Sequence, residues 1–268
     1  MGHMKRSVKA AAAAASGLLA LLAPSVASAK VVELGATTSP LVAPKCPAGI
    51  SPSKCTIILT QVTALETIRD GISYPTTVKQ AGRIVAFTVG LSRLDSNRTT
   101  AKKDIHFLDT TYGGVPQVSI TVLKRVGKSS ARRWAVTGES SPSVHLIPYL
   151  GQVAQFSLDK PLVVKPGEVI AMTTPTWAPV LSFQLTPKKF AYRQSRAQNC
   201  SNPASTSQAQ LVIGSSATYG CDYPGTRVEY TATEITDPVP TKNYVHAGDI
   251  AAVASAALPM SWTVPGQQ

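Results

Sequence analysis

The chain runs to 268 residues, 44% of them hydrophobic and 15% charged, enough to bury a real core in one large domain or two small ones. Beyond its N-terminus no stretch is both long and apolar enough to cross a bilayer, which excludes a transmembrane segment from the expected mature chain. Its 26 Lys/Arg against 14 Asp/Glu give a formal charge of +12, a balance that favours polyanionic partners and equally serves solubility.

Residues 1–29 read as a signal peptide. Lys5, Arg6 and Lys9 form the basic region, 10–23 the Ala/Leu-rich apolar region, and Ala27-Ser28-Ala29 the small-residue cleavage pattern, leaving Lys30 as the mature N-terminus. Cleavage removes three of the Lys/Arg and none of the Asp/Glu, so the mature charge is about +9. The expected location is secreted, with envelope association as a further expectation.

Residues 30–55 carry Pro40, Pro44, Pro47 and Pro52 and predict an irregular leader. Four cysteines in an exported chain imply two disulfides. Local pairing, Cys46 with Cys55 and Cys200 with Cys221, closes one Pro/Ser-rich and one Asn/Ser-rich loop. From residue 56 to 236 the pattern is that of strands. Val85, Phe87, Val89 and Leu91 share one face, as do Val118, Ile120 and Val122, then Trp134 and Val136, then Leu181, Phe183 and Leu185, then Val228, Tyr230 and Ala232. Residues 56–63 and 168–174 are evenly apolar, as central strands are. Lys165-Pro166-Gly167-Glu168 predicts a type II turn, Pro presetting its second position and Gly the third. Helical signals are confined to 64–70, a turn or two, and 249–258 in a C-terminal extension over 237–268. Eight or nine short strands so punctuated predict an all-β fold, an antiparallel β-sandwich of jelly-roll type.

Chemistry is sparse. Asp104 and His106 would share one face of an extended backbone, close enough to share a metal, although a polar loop accounts for them equally well; no cofactor is expected from any motif, with Ca2+ as the one open alternative. The Gly-x-Ser-x-Gly elbow and the phosphate-cradling glycine motifs are absent. Glu139 and Glu168 would have to meet across a concave sheet to cleave a glycosidic bond. Aromatic platforms for sugars are offered by Trp177, between Pro175 and Pro179, and by Tyr112, Tyr149, Tyr219 and Tyr223, although Tyr219 and Tyr223 bracket Cys221 and are better placed to pack on the disulfide. The parity of Trp134 places it in the core, and Trp177 suits either the core or the surface. The cations cluster better: Lys124, Arg125, Lys128, Arg132 and Arg133 lie on one predicted hairpin, and Lys188, Lys189, Arg193 and Arg196 follow a later strand. A solvated hairpin tip accounts for the first cluster without a ligand. In an exported protein, a teichoic-like or uronic polymer is the expected polyanion rather than nucleic acid.

The strings TVLKRVGKSSARRWAVTGESSPSVHLIPYL and FSLDKPLVVKPGEVIAMTTPTW share a grammar: strand, basic turn and aromatic strand in the first, apolar strand and Lys-Pro-Gly-Glu turn in the second. Together, across about residues 55–230, they resemble the exported β-sandwich proteins of high-GC actinobacteria. The resemblance implies an extracellular jelly-roll-like fold and carries no catalytic residue with it. The expectation is therefore a binding or structural module for a glycan or anionic wall polymer. The alternatives are a secreted polysaccharide or ester hydrolase and a self-assembling surface protein.

Overall fold

A computed structural model describes residues 28–47, 55, 57–138, 141, 143–198, 200 and 207–238. Most of the predicted signal peptide, Glu139, and the tail with its predicted helix at 249–258 lie outside the described residues. In chain order the strands are β1 (Val31–Leu34), β2 (Leu59–Arg69), β3 (Ile72–Ser73), β4 (Gly82–Gly90), β5 (Gln117–Val126), β6 (Arg133–Val136), β7 (Val144–His145), β8 (Val153–Val164), β9 (Val169–Ala178), β10 (Leu181–Ser182), β11 (Phe190–Gln194), β12 (Ser216–Thr218), β13 (Cys221–Pro224), β14 (Arg227–Val228) and β15 (Tyr230–Thr236). One helix, α1 (Arg98–Tyr112), interrupts them between β4 and β5.

The expected antiparallel sandwich is present. One sheet runs β1-β15-β4-β8, and the other contains β6-β5-β9-β2, extended by β12 at one edge and by β11 and β13 at the other. Counting β1, β2, β4, β5, β6, β8, β9 and β15 as eight principal strands, the first sheet interleaves the chain's beginning, end and middle. The second does the same with the remaining four, which is the double Greek key of a jelly roll. Both disulfides, Cys46–Cys55 and Cys200–Cys221, pair locally.

Alternation fixes the register, because a slip of one residue would turn each apolar face to water. Phe87 of β4 opposes both Ala232 of β15 and Phe156 of β8, and Ile120 of β5 opposes Met172 of β9. The core between the sheets joins Ile84, Phe87, Val89, Leu162 and Tyr230 to Val62, Ala64, Val122, Ile170 and Met172. Burial of each large apolar side chain stabilises by about 1.5–3 kcal/mol. An exposed ion pair such as Arg83–Asp237 contributes about 0–1 kcal/mol, so packing dominates. A second, smaller cluster on the outer face of the large sheet gathers Leu65, Leu123, Trp134, Val136 and Tyr219. There Thr63, Thr121 and Thr173 link their hydroxyls, and the Gln210 backbone N–H donates to Thr63, so a strap over 207–215 closes this buried hydroxyl chain across three central strands.

Two local readings are corrected. Residues 64–70 are not helical: 64–69 continue β2 and Asp70 turns out of it, because Ala64 pairs with Met172 and Gln194 on its two sides and tertiary pairing overrides the local signal. The segment with Asp104 and His106 is helical rather than extended. Asn97 caps α1 by accepting from the Thr99 and Thr100 amides, and Gly113 closes it at φ 82°.

The leader is also more ordered than its prolines suggest. β1 pairs with β15 along Val31–Leu34. Arg69, fully buried, donates to the Gly35 carbonyl, and Arg227 donates to those of Ser39 and Pro40. Glu66 and Glu229 balance these two cations inside the fold.

Candidate functional site

Antiparallel connectivity gives the sandwich two distinct ends. β5 starts beside the finish of β9, with Ser119 opposite Thr173, and runs until Leu123 opposes Val169 at the start of β9. The β5–β6 hairpin therefore turns at one end of the molecule. The beginnings of β2 and β8 and the end of β4 lie at the other.

The hairpin forms as expected: Lys124 faces Ala135, Arg125 faces Trp134 and Val126 faces Arg133. Lys124, Arg125, Lys128, Arg132 and Arg133 are all exposed, and among the described residues none of them forms an ion pair. Two are held in place. The Arg125 guanidinium lies 4.8 Å from the Trp134 ring centre and 5.1 Å from that of Tyr74, a cation–π arrangement that costs the arginine its rotamer freedom before any ligand arrives. Arg133 donates from Nε and Nη2 to the Ser216 hydroxyl of β12. Arg132 stands at φ 49° where the short 3-10 turn Ser129–Ala131 ends. The second basic group dissolves: Arg196 is buried, Arg193 pairs with Asp222 at 2.8 Å, and Lys188 and Lys189 remain on the surface.

Trp177 is not a stacking platform. Its side chain is 0% exposed, and its indole N–H donates to Asp109 of α1 at 2.9 Å. Its role is to anchor the helix to β9, because a buried indole needs an acceptor and Asp109 supplies one. The proposed metal pair is separated by the helix. Residues two apart on α1 point about 200° away from each other, so Asp104 and His106 cannot converge on one ion. Among the described residues no group of three or more His, Cys, Asp or Glu side chains gathers. Glu168 is buried and accepts from the Lys165 amide across the Pro166-Gly167 turn, where it serves turn geometry rather than hydrolysis. Tyr219 is fully buried and donates to Gln210, and Tyr149 packs edge-on against Phe156.

The two remaining tyrosines are brought together. Tyr112 and Tyr223 line one cleft of about 1320 Å3, opposite in the sandwich to the basic hairpin. Its walls come from decorations on the jelly roll: the leader at Lys45 and Cys46, the 92–96 loop, α1, and the β11–β13 edge. Tyr223 stacks on Tyr192 with ring centres 4.8 Å apart and planes at 14°. Its hydroxyl lies within hydrogen-bond reach of the Gln194 side-chain oxygen and the Cys200 carbonyl, at 3.2 and 2.9 Å. Burial raises the pKa of Tyr223, so this hydroxyl remains a neutral donor. Across the cleft α1 presents Asp104, Tyr112 and Phe107, the last 63% exposed. Sequence reasoning missed Phe107 because it sits in a polar run with no apolar periodicity. Helical geometry, not composition, turns it toward the cleft.

Comparison with family models, curated proteins and solved structures yields no match, so the site is interpreted from its own geometry. The two formed disulfides fit an oxidising compartment. No helix of the described residues is long and apolar enough to cross a membrane.

Proposed function

We propose that this is an exported binding module that holds an anionic polymer, with a teichoic-like or uronic wall glycan as the preferred partner, on the β5–β6 hairpin. The observation that carries the reading is the set of five exposed cations on one hairpin without an acidic partner among the described residues. A repeating polyanion pairs several such charges at once, and multivalent contact converts weak single pairs into useful affinity. Arg125 and Arg133 are preorganised by Trp134 and Ser216, which lowers the ordering cost on binding. The charge of about +9 expected of the mature chain works in the same direction by raising the local concentration of anionic chains.

The test is retention on immobilised polyglycerol phosphate or polygalacturonate. Lys124, Lys128 and Arg132 make no hydrogen bond through their side chains among the described residues, so a Lys124→Glu/Lys128→Glu/Arg132→Glu variant alters charge without removing a structural contact. The wild type should be retained at low salt and released as salt rises, and the variant should pass unretained. Equal retention of both at low salt contradicts the reading.

A further inference from the structure

The cleft at the opposite end of the sandwich is an unassigned site of different chemistry from the hairpin. We propose that it binds a neutral oligosaccharide, with the sugar ring faces resting on Tyr223, Tyr112 and Phe107 and Asp104 accepting hydrogen bonds from the sugar hydroxyls.

Size is the first argument. The cleft measures about 1320 Å3, above the roughly 300–1,000 Å3 of an ordinary small-molecule site, so it accommodates more than one sugar ring. Shape is the second. Tyr223 cannot swing away, because it is stacked on buried Tyr192, within hydrogen-bond reach of two acceptors through its hydroxyl, and set two residues from the Cys200–Cys221 disulfide. A ring fixed in this way meets the apolar face of a sugar with little further ordering. On the facing wall, Phe107 is a large apolar side chain left 63% exposed on a helix whose other exposed positions are polar or charged. On the cleft wall this ring presents an apolar face that a sugar ring can cover.

Polarity is the third argument, and it decides the ligand class. Among the described residues, the charged side chains lining the cleft are Lys45, Arg93, Asp95 and Asp104, two of each sign. A balanced cleft has no field to select a polyanion, in contrast with the hairpin. Asp95 is used locally, accepting from the Asn97 amide. Asp104 makes no hydrogen bond or ion pair among the described residues and is half-buried in the wall. Its carboxylate offers acceptor capacity that paired sugar hydroxyls fill well.

The inference stands apart from the polyanion reading, and calorimetric titration separates the two. The full chain is titrated with neutral tetrasaccharides of glucose, N-acetylglucosamine, mannose and xylose. At least one series should bind, with affinity insensitive to salt. Phe107→Ala and Tyr112→Ala should each weaken it about tenfold, while the melting temperature stays within a degree or two because both side chains are partly exposed. Asp104→Asn should weaken it several-fold, and the hairpin charge-reversal variant should bind as the wild type does. No heat with any of the four series up to millimolar concentration overturns the proposal. So does binding that survives both aromatic substitutions unchanged. Loss of tetrasaccharide binding in the hairpin variant would place the sugar at the wrong end of the molecule.

Discussion

Arg69 illustrates how much one buried cation organises. It is fully buried, pairs with Glu66, and donates to the carbonyls of Gly35, Val228 and Tyr230. Burial pushes the Glu66 carboxyl up against the pull of Arg69, so the pair is poised rather than simply stabilising. Arg69→Ala should cost about 3–5 kcal/mol in urea unfolding, because it strands a buried carboxylate. In that variant Glu66 is raised further, so its stability should rise as pH falls and be lost as pH climbs through the folded value. A loss below about 1 kcal/mol would show that Glu66 is well served without the arginine. Asp70 behaves in the opposite sense. The nearby Thr37 hydroxyl, together with hydrogen bonds from the Ser39 hydroxyl and amide and the Thr38 hydroxyl, holds its carboxyl well below the usual carboxylate range. The folded value lies under the unfolded one of about 3.9, so the contribution is complete above that pH and disappears as pH falls through the folded value. Asp70→Asn should therefore open a constant gap in urea midpoint from about pH 5 to 8 that closes below about pH 4. A gap independent of pH down to about pH 2 would contradict the assignment.

Among the elements, α1 and the leader are the two additions that turn a jelly roll into a protein with a cleft. α1 buries only Ala101 and Leu108, so its position depends heavily on the Trp177–Asp109 bond. Trp177→Phe keeps an aromatic ring in the core and deletes that bond. Stability should fall by about 1 kcal/mol, more if Asp109 is left without solvent. Amide exchange over α1 should quicken, with polyanion retention unchanged; unaltered exchange would mean that the helix is held by something else. The leader passes so close to β4 that a Cβ at Gly90 would lie 1.9 Å from the Val42 carbonyl oxygen. Gly90→Ala should displace this crossing and expose the leader to limited proteolysis, and a digestion pattern identical to the wild type would refute the tight packing. Both additions were poorly legible in the sequence for identifiable reasons. α1 has no apolar stripe, and Thr99, Thr100, Thr110 and Thr111 favour other conformations, although Asn97 and Gly113 are a readable start and stop. The leader is held by Arg69, Arg227 and Asp70, contacts spanning more than thirty residues of separation that no local pattern records. By contrast β5 and β15 were readable directly, because period-two alternation turns one apolar face to the core; in β4 a register shift between Ile84 and Ala86 puts Ile84 rather than Val85 in the core beside Phe87 and Val89. The disulfides were readable because each closes a short loop.

At the scale of the whole molecule, the antiparallel jelly roll separates two surfaces. The hairpin end was legible, since a run of cations around a turn stays together in any antiparallel fold. The cleft end was not, because its walls come from three stretches far apart in sequence, near residues 45, 92–112 and 192–226, and the aromatic residue that stood out, Trp177, proved to be an internal anchor. The central claim is that the hairpin end binds an anionic polymer through its cations. The most direct measurement is the affinity for polyglycerol phosphate across ionic strength, for the wild type and for a variant with Lys124, Lys128 and Arg132 replaced by Gln. The wild-type affinity should fall steeply as salt rises, and the variant should bind at least tenfold more weakly at low salt with a shallower dependence. Superimposable salt curves for the two proteins would contradict the claim.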